Sequence, residues 1–120
     1  MCDDVAAYRA LMRYVLQEDP AIEVVGEAAD GLAAVEQAGL LQPDVVLLDV
    51  SMPLLDGIDA IPSVLERAPN TRIIALSGFG ADRMAEAALA EGAIAYLEKS
   101  DDVQAVRDAV HAAVSSGRRP

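Results

Sequence analysis

Apolar and polar positions follow two rhythms along the chain. Between residues 5 and 18, Tyr8, Leu11, Met12, Val15 and Leu16 recur at three- and four-residue spacing, with Arg9, Arg13, Gln17 and Glu18 mostly elsewhere. That spacing predicts a helix with one apolar face, stopped by Pro20. Ile22, Val24 and Val25 predict a short strand ended by Gly26. Asp30-Gly31 opens a second helix with Ala34, Val35, Ala38 and Leu41 inward. Residues 44–49 are then almost wholly apolar up to a terminal carboxylate, too short for a helix and too uniform for a half-exposed strand. They predict a fully buried strand of a parallel sheet.

The alternation continues. Asp56 predicts the cap of a third helix, with Ile61, Val64, Leu65 and Ala68 inward, Pro62 near its first turns and Pro69-Asn70 at its end. Arg72 to Ser77 predicts another buried strand, and a helix of about ten residues runs to Gly92, the expected left-handed residue past its end. Ala93 to Leu97 predicts the next strand, and a last helix from Asp101 carries Val103, Val106, Val110, Ala113 and Val114 inward. Strands alternating with helices imply an α/β domain, a parallel sheet covered on both faces. One domain is expected over residues 1–116, with residues 117–120 beginning a linker to a further domain. One element falls short. Alternation calls for a full strand before Asp3-Asp4, and only Met1 and Cys2 are there. A remnant of that length would leave neighbouring strands with an open edge, which makes a strand-exchanged homodimer an expectation.

Composition narrows the function. The net charge of −11 argues against nucleic-acid binding by this domain and suits attraction of a cation. With no Trp and one Phe, the core must be aliphatic. The single Cys2 cannot make an internal disulfide, and no segment has membrane-spanning length, so a cytoplasmic setting is expected. In open parallel sheets, ligands bind outside the carboxyl ends of the strands. Those ends carry Asp3 and Asp4, Asp49, Ser77 and Lys99. Clustered carboxylates repel unless one is protonated or a cation sits among them, and oxygen-only ligands favour a hard ion such as Mg²⁺. A hydroxyl and an ammonium beside that ion suit a phosphoryl group.

Five segments in order, CDDV at 2–5, VVGEAADG at 24–31, PDVVLLDVSMPLLDG at 43–57, RIIALSGF at 72–79 and GAIAYLEKS at 92–100, resemble a response-regulator receiver domain of two-component systems over nearly the whole chain. The VVGEA and YLEKS pieces resemble the receivers that precede LuxR/NarL-type helix-turn-helix outputs. The resemblance implies a flavodoxin-like doubly wound sheet of order 2-1-3-4-5, here with a truncated first strand. It implies Asp49 as phosphoacceptor from a sensor histidine kinase or a small phosphodonor. Mg²⁺ would be held by Asp3, Asp4, Asp49 and the Ser51 carbonyl. Ser77 and Lys99 would hold phosphoryl oxygens, and Tyr96 would act with Ser77 as a switch. The face made by the fourth helix, fifth strand and fifth helix would change and control an output, expected to be DNA-binding transcription regulation. Lys99 is followed by Ser100, where many receivers carry a cis Pro.

Two other functions compete. A degenerate receiver would be a phosphorylation-independent interaction or dimerisation module, on the ground of the short first strand. An aspartyl-phosphate hydrolase would resemble a D-x-D pattern, but Asp49 is followed by Val50 and Ser51, so its second acid is absent and no enzyme is expected. Cys2 is expected to serve packing and His111 to lie on the surface.

Overall fold

Strand residues of opposite parity sort onto opposite faces of a parallel sheet, and this separates two cores. The computed structural model describes residues 1–3, 5–50, 57–77, 82–99 and 103–117. Its elements are α1 (Ala6–Gln17), α2 (Gly31–Leu41), β1 (Val45–Asp49), α3 (Gly57–Arg67), β2 (Arg72–Ser77), α4 (Asp82–Glu91), β3 (Ala95–Glu98) and α5 (Val103–Gly117). Val46 and Leu48 of β1, with Ile73 and Ala75 of β2, join Ala34 and Ala38 of α2, Ile61 and Val64 of α3 and Ala88 of α4. Leu47, Ile74 and Leu76 point the other way, onto Met12 and Leu16 of α1 and Val106, Val110 and Ala113 of α5. The sheet is thus covered on both faces, as an apolar run in each strand requires.

Among the described residues the sheet is parallel, in the order β1-β2-β3, with Val45 opposite Arg72 and Ile74 opposite Ala95. Thr71 fixes its entry end, where the buried hydroxyl donates to the Pro43 carbonyl at 2.6 Å. Beyond β1 the N-terminus adds single bridges, Cys2 to Leu48 and Cys2 to Ala28. The spatial order is therefore Ala28, Cys2, β1, β2, β3. This is the expected 2-1-3-4-5 order, with the two N-terminal strands reduced to one bridging residue each.

The strand expected at Ile22, Val24 and Val25 does not form. Those residues belong to no strand, and pairing is confined to Ala28. The cause is lack of a partner, since an extended segment is held by the strand beside it and Cys2 offers a single position. Beside these residues lies a groove of about 410 Å³, lined by Leu16, Val24, Ala38, Leu41, Val46 and Val110 among others.

A smaller correction concerns the strand expected at Ala93 to Leu97, which runs instead from Ala95 to Glu98. The Ala93 N–H is taken by the Ala88 carbonyl at 3.0 Å, and Gly92 has φ +124, so Gly92 and Ala93 finish α4 before the strand begins. Asp56 and Asp101, expected at helix starts, lie outside the described residues, as do residues 118–120 of the expected linker.

Candidate functional site

The site is assembled by backbone bonds at the carboxyl rim. The Asp49 N–H donates to the Cys2 carbonyl at 2.9 Å and the Cys2 N–H to the Leu47 carbonyl at 2.8 Å. On the other side, the Asp3 N–H donates to the Ala28 carbonyl at 3.0 Å. Asp3 is thereby set beside Asp49, and both are buried. Asp3 also starts α1: its Oδ1 accepts the Val5 N–H at 2.8 Å, and its carbonyl accepts from Arg9 at 2.5 Å. Arg9 in turn lies 3.5 Å from Glu27, which pairs with Arg13 at 2.8 Å.

Lys99 closes the rim from the far edge. Its N–H donates to the Ser77 carbonyl at 2.8 Å, which fixes the residue directly after β3 against the end of β2. The ammonium donates to Asp49 Oδ2 at 3.0 Å and pairs with Asp3 Oδ2. It also sits 4.7 Å from the centre of the Tyr8 ring. Ser77 is fully buried one residue past Leu76, which lies opposite Asp49 in the sheet. Tyr96, opposite Ala75, packs against the α2–α3–α4 core, and its buried hydroxyl has no hydrogen-bond partner among the described residues.

Burial raises the Asp3 pKa above the ordinary carboxylate value, and the pairing with Lys99 does not fully reverse it. Burial alone would lower the Lys99 pKa, but its bonds to Asp3 and Asp49 outweigh that, and the net shift is upward. Burial likewise pushes the Cys2 thiol up to about 12. Asp3 Oδ2 is ion-paired yet lacks a hydrogen bond of good geometry among the described residues. A buried carboxylate oxygen of this kind, in an all-oxygen set, fits a hard divalent cation. Among the described residues, no group of three acidic, His or Cys side chains is gathered. Asp4 and Ser51, the other expected ligands, lie outside them.

Of the residues expected to act together, the structure therefore gathers Asp3, Asp49 and Lys99 in direct contact. It places Ser77 at the adjoining strand end and Tyr96 inside β3. Sequence reasoning missed Tyr8 and Arg9. Tyr8 was read as part of the apolar face of α1 and Arg9 as lying off it, and the signal that could have found them is their place in the first turns after Asp3. Cys2 and His111 are as expected: the thiol is buried, and His111 is exposed and meets Asp19 at 2.7 Å.

Residues 1–111 match the family model of the response regulator receiver domain. The chain is 43% identical over 100 residues to a protein-glutamate methylesterase/protein-glutamine glutaminase of Geobacter sulfurreducens, covering 82% of this chain and 27% of that protein. It is 34% identical over 113 residues to the uncharacterized transcriptional regulatory protein YxjL of Bacillus subtilis, covering 94% of this chain and 52% of that protein. The receiver domain of the response regulator NarL from Mycobacterium tuberculosis is similar with a TM-score of 0.89 at 32% identity, over 95% of this chain and 92% of that one. The chain thus spans about a quarter to a half of the length of these curated relatives. Sequence match, sheet order and the acid–lysine rim agree, and the chain belongs to the response-regulator receiver domains, the modules of phosphorylation-based signalling.

Proposed function

We propose that this domain takes a phosphoryl group on Asp49 and uses it to switch an output. The observation that carries this is the Lys99 ammonium shared by two buried carboxylates, Asp3 and Asp49, at the carboxyl end of the sheet. The Asp49 carboxylate would attack the phosphorus of a phosphohistidine on a sensor histidine kinase, or of a small phosphodonor. A P–O bond to Asp49 forms as the bond to the donor breaks, and the leaving group departs with its electron pair. Asp3, Asp4, Asp49 and the Ser51 carbonyl would hold Mg²⁺. That ion supplies neutralisation of charge on the transferring group. Lys99 and Ser77 would bond the phosphoryl oxygens. Tyr96 would answer Ser77, because a buried phenol without a partner among the described residues gains by finding one. The face of α4, β3 and α5 would then favour a second state.

The output divides two ways. Similarity to YxjL supports transcription regulation through a DNA-binding domain elsewhere in the protein, since the acidity of this domain argues against nucleic-acid contact of its own. Similarity to the methylesterase supports control of an attached effector enzyme, without catalysis by the receiver itself. Among the described residues no helix is long and apolar enough to cross a membrane, and a cytoplasmic setting belongs to the same proposal. So does a homodimer, strand-exchanged along the groove beside Val45–Leu47; a purely monomeric sedimentation profile would remove it. A second reading, a phosphorylation-independent module, is favoured by the single-residue bridges that anchor Asp3.

Intact mass after incubation with Mg²⁺ and acetyl phosphate separates the readings. One phosphoryl adduct on wild type and none on Asp49→Ala supports the switch. No adduct on wild type favours the module.

A further inference from the structure

The oxygens that Lys99 holds are the ones the chemistry needs. Asp49 Oδ2 and Asp3 Oδ2 both face the ammonium, while the proposed reaction asks Asp49 for a bond to phosphorus and asks both acids for the metal. Lys99 must therefore release carboxylate oxygens and take up a phosphoryl oxygen. Lysine is a hydrated point charge on a flexible four-carbon stem, and this one is 17% exposed. Once released, it would be drawn toward water.

The geometry points to Tyr8 as a positioning residue for this step. The proposal rests on the phosphoacceptor reading and adds a residue that sequence reasoning assigned only to packing. The ring face, 4.7 Å from Nζ, attracts the ammonium through its quadrupole. Neither a divalent cation held by the carboxylates nor a phosphoryl anion competes for it, since an aromatic face offers an anion nothing. Tyr8 thus keeps the ammonium over the rim while its other partners change.

Its placement is tied to the acids themselves. Asp3 Oδ1 holds the Val5 N–H, and the Val5 carbonyl accepts the Tyr8 N–H at 3.1 Å in the first turn of α1. Arg9, the next residue, clamps the Asp3 carbonyl. Tyr8 also packs on the cluster of Met12 and Leu16. One turn of helix therefore indexes the ring to the carboxylate it serves.

The test compares wild type, Tyr8→Phe and Tyr8→Leu. Phosphorylation by acetyl phosphate with Mg²⁺ is followed by intact mass. The Lys99 ε-methylene resonances are read by ¹H–¹³C NMR, because a ring lying over the ammonium shifts them upfield and a ring packed away from it does not. Tyr8→Leu should lose the upfield shift and slow the initial rate about two- to fivefold, the range such a contact is worth. Tyr8→Phe should keep both, since the ring face rather than the hydroxyl acts. The inference is overturned alone if wild type reacts and Tyr8→Leu matches it in rate, if Tyr8→Phe is as slow as Tyr8→Leu, or if the Lys99 resonances are the same in all three. A wild type that takes no phosphoryl group overturns this inference together with the reading beneath it.

Discussion

Lys99→Met isolates what the ammonium does for the fold. Methionine keeps much of the stem's apolar contact and removes the charge shared by Asp3 and Asp49, both almost fully buried. Breaking a buried pair on one side leaves an uncompensated charge and costs about 3–5 kcal/mol. The rim admits some water, so the lower end applies, about 3 kcal/mol near neutral pH. For a domain whose whole stability is on the order of 5–15 kcal/mol, that is readily measured.

The pH dependence fixes the sign. Lys99 has a raised pKa in the folded state, so its stabilisation is complete below the ordinary value of 10.5 and disappears as pH rises through the raised one. Asp3 also has a raised pKa, from burial, so the folded state binds its proton more tightly and gains stability as pH falls through that value. The deficit of Lys99→Met should therefore be largest from neutral to mildly alkaline pH and shrink in acid, where Asp3 is neutral. Mg²⁺ should also reduce it, because the variant no longer has an internal cation competing for the same oxygens; saturation at about 100 times Kd adds roughly 2.7 kcal/mol. Urea unfolding by circular dichroism, with EDTA or Mg²⁺ and at neutral or acid pH, reads all of these. A variant as stable as wild type in EDTA near neutral pH, or a deficit that grows on acidification, would refute the reasoning.

Other predictions concern the frame. Thr71→Val should cost about 1–2 kcal/mol in chemical denaturation, because the Pro43 carbonyl loses its donor inside the fold. Gly92→Ala should cost at least about 1 kcal/mol and lower the thermal midpoint, since the residue sits at φ +124 and a Cβ would lie 2.6 Å from Leu65 Cδ1. Cys2, with its thiol pushed up to about 12 and buried, should resist alkylation in the native protein and react promptly in denaturant. Equal rates in both states would contradict that placement.

What was legible followed from features that need no partner. The apolar runs of β1 and β2 must be buried on both sides, and the acid that ends β1 must then lie at a rim. Gly92 was legible because a helix end favours a residue free to turn left-handed. The failures share the opposite property. Ile22 to Val25 have strand composition, yet a strand exists only beside another, and the bridge that Cys2 makes falls at Ala28, beyond them. Ala93 has the composition of β3, but its N–H was already committed to the helix end. Tyr8 has the spacing of a core residue, and helical period reports which face a side chain occupies, not which charged group lies above the first turn. Strand order could bring Asp49 and Lys99 to one rim; that a single ammonium spans Asp3 and Asp49 required distances.

The same facts tie the stability of this domain to its chemistry. Asp3 reaches the site through one residue, Cys2, bonded to Leu47 and Asp49 on one side, with Asp3 and Met1 bonded to Ala28 on the other. Two buried carboxylates thus meet where backbone pairing is least extensive. Their repulsion would open that corner first, and Lys99, anchored on the better-paired β2 through the Ser77 carbonyl, opposes it. Any ligand that draws Lys99 away must itself neutralise the acids, or the N-terminal bridge weakens. A divalent cation does so, and a phosphoryl group alone, being anionic, does not. On the proposed reaction, exchange of the ammonium from carboxylate to phosphoryl oxygen would therefore be favoured only with the cation in place. If Asp49 is the phosphoacceptor as proposed, the order of events at the site would be set by the electrostatics of Asp3 as much as by the reactivity of Asp49.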